Sequence, residues 1–178
     1  DSIEYFDGLG KRIQLRSAAE DGQVLSDGSR GYNRRGWEAV KAVPRLSAGF
    51  AYVPGEGLGD PQLYKFRHDA LGRIIETTTP DGRLSRIVYE LGLIRRFDVS
   101  DTDSSPENIA RGHFDTPRIE EYDARGRLLA VTETNTGGVL LETQYELDAL
   151  GRIVSITDAR GVKIARYFYD LVGLKIAV

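Results

Sequence analysis

Tyr122-Asp123-Ala124-Arg125-Gly126-Arg127 decides the fold, because the chain repeats this phrase five times. The other copies are Tyr5-Phe6-Asp7-Gly8-Leu9-Gly10-Lys11, His68-Asp69-Ala70-Leu71-Gly72-Arg73, Leu147-Asp148-Ala149-Leu150-Gly151-Arg152 and Tyr169-Asp170-Leu171-Val172-Gly173-Leu174-Lys175. The shared core is aromatic–Asp–x–x–Gly–basic. A fixed phrase that recurs at roughly twenty-residue intervals indicates a repeat architecture. Such architectures more often build a surface or a wall than a single catalytic pocket.

The phrase has a physical reading. Asp opens a type I turn by accepting hydrogen bonds from the backbone two residues on. Gly supplies the left-handed residue that closes a short hairpin loop. The basic residue starts the next strand and can reach back toward the Asp. After each phrase comes a run rich in Ile, Val, Leu and Thr, such as residues 73–79, 127–132 and 152–157. A second turn signal follows, at Pro80-Asp81-Gly82, Thr136-Gly137-Gly138 and Ala159-Arg160-Gly161. Another run then ends in aromatics. Strand, turn, strand, turn predicts an all-β meander of antiparallel hairpins. The rings ahead of each Asp are expected to stack as a cross-strand ladder or to pack as ordinary core. Ile74-Ile75, Leu128-Leu129 and Val139-Leu140-Leu141 are apolar on both faces of their strands, so one face is expected to meet a lumen or another layer.

The 178 residues suit one domain, read here as a single repeat segment over 1–178. Two stretches interrupt the rhythm. In residues 26–61, Trp37 to Val43 could be a short helix or a strand; Gly36 and Pro44 bracket only seven residues, which favours the strand. In residues 98–117, Ser105-Pro106 reads as an N-cap followed by proline at the first helical position, giving a short helix over 106–111. The chain has no methionine, and its last phrase opens a repeat without closing it. It is therefore expected to be a piece of something longer.

Net charge is −3 and the pI is about 5.5, which points away from nucleic acid. With no cysteine, neither a disulfide framework nor a thiolate metal site is possible. No apolar run approaches the roughly 18 residues of a membrane span.

The repeated Tyr-Asp-x-x-Gly-Arg phrase resembles the YD repeat of RHS-repeat proteins, a group that includes polymorphic toxins, toxin-complex shell components and teneurins. The resemblance covers residues 1–25, 64–91 and 118–178. Gly31-Tyr32-Asn33-Arg34-Arg35-Gly36, with Pro44 beyond it, resembles a Tyr-Asn-x-x-Gly segment of SpvB-like and toxin-complex B-type shell proteins. Residues 97–102 with His113-Phe114-Asp115-Thr116-Pro117 resemble a second element of that group, with Ser100 where Asn is expected. The departures are Leu174 in the last phrase and Glu90 after Tyr89. The family's Asp-Pro-x-Gly-Leu self-cleavage signature has no counterpart, because Asp60-Pro61 is followed by Gln62-Leu63. The resemblance implies a strip of a spiralling β-sheet shell, non-catalytic, enclosing a toxin or effector cargo and secreted. Its partners would be other repeats of the same or a parent polypeptide. It allows, as an alternative, an extracellular adhesion module that binds glycans or a receptor.

Candidate chemistry is sparse, and no cofactor is indicated. Asp98, Asp101 and Asp103, with Glu107 beyond, offer oxygen ligands for Ca²⁺, against which stands a solvated acidic loop of turns and caps. His68 and His113 are the two histidines, and zinc would need both together with a carboxylate. Ser29 lacks the first glycine of a nucleophile elbow. Adjacent Glu120 and Glu121 face opposite sides of a strand and make a poor glycosidase pair. Arg34, Arg35 and Trp37, or Arg95 and Arg96, could hold a sugar or an anion, or simply charge a strand edge.

Overall fold

The computed structural model describes residues 1–135 and 137–177, so the predicted turn residue Thr136 lies outside the described residues. The chain forms two compact units, Asp1–Leu84 and Ser85–Val178. Both are built almost entirely of antiparallel strands, as the repeated turn signals require.

The first unit holds β1 (Ser2–Phe6), β2 (Arg12–Ala18), β3 (Val24–Ser26), β4 (Arg30–Tyr32), β5 (Glu38–Ala42), β6 (Arg45–Ser47), β7 (Leu63–His68) and β8 (Ile74–Thr78). One sheet runs β1-β2-β3-β6, and β8-β7-β5-β4 are hydrogen-bonded in that order. The expected strand near 37–43 is β5. Within 26–61 the strands β4 and β6 are additional to the sequence reading.

The second unit carries β9 (Leu84–Glu90), β10 (Leu93–Phe97), α1 (Val99–Thr102), α2 (Pro106–Ala110), β11 (Arg118–Tyr122), β12 (Leu128–Thr134), β13 (Leu140–Leu147), β14 (Ile153–Thr157), β15 (Lys163–Arg166), β16 (Phe168–Tyr169) and β17 (Lys175–Ala177). From β9 to β15 each strand pairs with the next in sequence, a pure meander. The helix α2 starts as expected: Ser105 caps it by accepting from the Asn108 N–H, with Pro106 in the first turn.

Few large hydrophobic side chains are buried. Among the described residues the buried hydrophobics are Val24, Ala42, Phe97, Ala130 and Val131. A domain of this length normally buries well over half the surface of its unfolded chain around one core. Here Leu129, Val139, Leu140, Leu141 and Ile164 stay exposed on the strands or at their ends. Ridges of half-buried side chains and continuous ladder hydrogen bonds, more than a central core, hold the sheet of the second unit.

Candidate functional site

The repeat phrase folds into one hydrogen-bonding pattern. In Asp123–Arg127 the Asp123 N–H donates to the Arg127 carbonyl, and the Gly126 N–H donates to the Asp123 carbonyl. The Asp123 carboxylate accepts from the Arg125 N–H at 2.8 Å, the Arg127 N–H at 3.0 Å and Arg127 Nε at 2.6 Å. Gly126 sits at φ +76°, the left-handed conformation that an L side chain resists. This is a type I turn closed by a glycine bulge, and the ladder slips register beside it, between Glu121 and Tyr122. Asp69, Gly72 and Arg73 repeat the pattern, as do Asp148, Gly151 and Arg152. Asp7 with Gly10 and Asp170 with Gly173 form the same backbone turn without the carboxylate–arginine pair.

Among the described residues the same backbone turn appears nine times, at openers Asp7, Asn33, Asp69, Thr79, Asp123, Asn135, Asp148, Asp158 and Asp170. Four of these lie outside the five phrases. Asn33 accepts from the Arg35 and Trp37 N–H groups with its side-chain oxygen, just as the aspartates do. The "second" turn signals of the meander are this same turn, with the opener one residue earlier than the sequence reading placed it. The geometry needs an acceptor or compatible residue first and glycine fourth. It does not need the preceding aromatic.

The aromatic ladder does not form. Among the described residues the ring–ring contacts are Tyr5–Tyr52 and Trp37–His68. Phrase rings on alternate connections are two strands apart, about 10 Å, beyond the roughly 7 Å reach of stacked or tilted rings. The basic side chain of one repeat crosses that gap. The Arg152 guanidinium lies 4.5 Å from the Tyr169 ring centroid, and Lys11 Nζ lies 5.2 Å from that of Tyr32. Lys11 Nζ also donates to the Gly36 carbonyl. A Cβ on Gly151 would come 2.9 Å from Arg127 Cδ, and one on Gly173 would come 3.5 Å from an Arg152 nitrogen. Each of these turns thus seats its neighbour's basic arm against its glycine or its ring. The rings find separate polar ends: Tyr122 Oη donates to Glu120 at 2.9 Å and Tyr169 Oη to the Ile153 carbonyl at 2.8 Å. Tyr5 Oη donates to the Phe50 carbonyl.

The turn aspartates are held acidic. For Asp123 and Asp148 the following arginine's backbone N–H contributes most, burial opposes it, and the guanidinium adds to it; both carboxyls titrate below the ordinary aspartate range. For Asp158 the Arg160 side chain is the largest cause. At Asp69 burial opposes the charge, but the Arg73 side chain and the turn N–H groups outweigh it. Lowered folded pKa values give stability that is complete above the unfolded value and lost as pH falls through the folded one. Melting temperature is therefore expected to hold from neutrality to about pH 5 and to fall below about pH 4. Asp123→Asn should keep the turn, as Asn33 does, and flatten that acid limb; an unchanged pH profile in a combined Asp69, Asp123 and Asp148 to Asn variant would count against this account. For the glycine, Gly126→Val is expected to cost about 2 kcal/mol, from positive φ alone, because nothing lies within 4 Å of its Cβ position. An unchanged melting temperature would contradict that.

In the acidic loop the candidate Ca²⁺ carboxylates are engaged by the chain itself. The Asp98 carboxylate accepts from the Asp101 N–H at 2.9 Å, and Asp101 accepts from the Asp98 N–H at 2.7 Å and from Thr116 Oγ1 at 2.7 Å. Asp103 accepts from the Ser105 N–H. These carboxylates cap α1 and tie its start to Thr116, and among the described residues no three His, Cys, Asp or Glu side chains converge as a metal site. Beneath this loop a concavity of about 700 Å³ is lined by residues including Arg86, Arg96, Phe97, His113 and Glu133. Beside it Glu120 is buried, accepting from Arg96 and Arg118 at 3.2 Å and from Tyr122. Burial works against the Glu120 charge, but the Arg96 and Tyr122 hydrogen bonds outweigh it and lower its pKa. A carboxylate so neutralised is a poor general base. Arg95 pairs with Glu90. In the first unit Trp37 lies 5.5 Å from His68 and would touch a Cβ on Gly72, while Arg35 lies 5.2 Å from the indole. These neighbours lie against the indole, which also lines an open groove with Arg34 and Arg35.

Residues 122–163 match the RHS Repeat family. No curated protein matches this sequence. Among solved structures, a TcdB2-TccC3-Cdc42 chain matches with a TM-score of 0.81 at 19% identity, over 98% of this chain and 10% of that one. A TcdB2-TccC3 chain gives 0.80 at 19% identity over the same shares, and a chain of the Photorhabdus luminescens Tc holotoxin pore gives 0.80 at 18%. This chain thus spans about a tenth of the length of the chains it matches. Residues 122–163 thus carry an RHS repeat, and the chain as a whole has the fold of the toxin-complex chains it matches.

Proposed function

We propose that this chain is a strip of wall in a β-sheet shell that encloses a toxin or effector cargo for delivery, and that it performs no chemistry itself. The observation that carries the reading is the meander of the second unit with large apolar side chains exposed, in a chain with so few buried hydrophobics. A wall has two working faces and no need of a core; an enzyme of this size has a core and a pocket with free catalytic groups. Here the described carboxylates with lowered pKa values are bound by backbone N–H groups, hydroxyls or cationic side chains. The likeness to chains solved as TcdB2-TccC3 complexes supports the same reading. Its partners would be neighbouring repeats and the enclosed cargo, in a secreted assembly. A glycan- or receptor-binding module is the weaker reading, because the groove at Arg34, Arg35 and Trp37 leaves its indole crowded.

Electron cryomicroscopy of the intact polypeptide tests the proposal. The expected map shows a cavity bounded by this strip, with extra density inside it. A solid domain with no cavity would sink the reading.

A further inference from the structure

One turn keeps the backbone of the phrase and omits its charge. At residues 33–36 the opener is Asn33, whose side-chain oxygen accepts from the Arg35 N–H at 3.0 Å and the Trp37 N–H at 3.1 Å. An amide accepts these bonds as a carboxylate does, but it has no charge to neutralise a guanidinium. The Asp158 turn shows what a carboxylate does there: Arg160, at the same third position, donates from Nε to the opener at 2.7 Å. Arg35 has no such partner and instead lies 5.2 Å from the Trp37 ring centroid. Among the described residues Arg34 has no ion pair either, while every other arginine of the first unit, from Arg12 to Arg83, holds a carboxylate. Charges that protect a sheet edge sit along the strand. These two sit on a turn and line an open groove of about 740 Å³ with Trp37, Phe66, Arg67 and Asp69. In that groove Arg67 pairs with Glu76 and Asp69 with Arg73, so their charges cancel. The guanidiniums of Arg34 and Arg35 stay uncompensated on a chain whose net charge is −3. Lys11 Nζ, donating to the Gly36 carbonyl, raises the local potential further.

We propose that Arg34 and Arg35 bind a phosphomonoester-type dianion in this groove. A carboxylate's oxygens are filled by one guanidinium fork, which would leave the other arginine unused. A phosphate offers enough oxygens for both forks and about −1.5 to −2 of charge for both cations. A sulfate ester, with a single negative charge, matches less well. The indole holds Arg35 in place, so less side-chain freedom is lost on binding. The site does not depend on the shell reading, because the turn and groove belong to the first unit whether or not a lumen lies behind them.

Trp37 is the one tryptophan of these 178 residues. Its emission, isolated in the full-length polypeptide by difference from a Trp37→Phe variant, reports on the groove. Phenyl phosphate is expected to saturate that signal at millimolar concentration or below, with phenyl sulfate about tenfold weaker. Asn33→Asp is the deciding variant, since aspartate is the phrase's own opener and keeps the turn. By capturing Arg35 it should weaken phenyl phosphate about tenfold, as should Arg34→Gln combined with Arg35→Gln. Arg83→Gln combined with Arg125→Gln removes the same charge elsewhere and should change nothing. No saturable response to phenyl phosphate, an Asn33→Asp variant that binds as the parent does, or an equal loss in the Arg83 and Arg125 variant would overturn the proposal. Phenyl sulfate binding as tightly as phenyl phosphate would overturn the choice of a dianion. Inorganic phosphate, titrated in parallel, separates the sources: tighter binding than phenyl phosphate assigns the free ion, weaker binding an ester. A map with no cavity would remove the shell and leave this site standing; an unresponsive Trp37 in a strip that bounds a cavity would do the reverse.

Discussion

Gly28→Ala is expected to destabilise the chain by about 3–5 kcal/mol, lowering its melting temperature by roughly 10 °C. Gly28 stands between β3 and β4 at φ +88°, already unfavourable for alanine. A Cβ there would lie 2.0 Å from the Ala42 carbonyl oxygen and 2.8 Å from its carbon. Both obstacles are backbone, so no rotamer change relieves them. Ala42 is fully buried at the end of β5, and its N–H donates to the Ser29 carbonyl, which fixes the two segments against each other. Gly10→Ala is the control. It shares the positive φ at +77° but has nothing within 4 Å, so it should cost about 1 kcal/mol. Equal losses in the two variants would show that φ alone matters and that the close approach at Ala42 does not.

Gly28 also marks the boundary of what the sequence reveals. The five phrases announce their turns because Asp and Gly sit at fixed offsets, and the strand at 38–42 and the helix at 106–110 follow from their bracketing Gly, Pro and Ser residues. Those are local signals. The turns at Thr79, Asn135 and Asp158 register in the sequence as turn signals one residue late, and Asn33 within a Tyr-Asn-x-x-Gly segment; that all four are the phrase's own turn stays hidden, since the hydrogen bonds that make it never involve the ring. Gly28 is invisible because its reason is a backbone fourteen residues away in another strand. The Arg152–Tyr169 and Arg127–Gly151 contacts are likewise set by strand order, which a phrase read singly does not contain.

The hub of the first unit inverts the usual pattern altogether. In β2 the inward positions are Gln14 and Arg16, buried, while Ile13 and Leu15 are only half-buried. Alternation in sequence would have put the Ile and Leu inside.

Removing the partner of that buried arginine is expected to be as damaging as the backbone collision. Arg16 Nε donates to Gln14 at 3.0 Å, one terminal nitrogen to Ser47 Oγ and the Gly49 carbonyl, and the other to Glu56 at 2.8 Å. Glu56 also accepts from Gln14 Nε2 at 3.2 Å and from Ser47 Oγ at 3.0 Å. One carboxylate therefore anchors the 54–60 loop onto β2 and β6. Glu56→Ala leaves a guanidinium that is 1% exposed without its counter-charge, a loss of about 3–5 kcal/mol. Glu4→Ala, which breaks the exposed Arg12–Glu4 pair, should cost under about 1 kcal/mol. The decisive variant is the double change Arg16→Met with Glu56→Leu. With both charges gone no buried charge is left unpaired, so the double variant should melt higher than Glu56→Ala despite losing more hydrogen bonds. If instead its loss equals the sum of the two single changes, the pair is not coupled, and the loop is held by Gln14 and Ser47 alone.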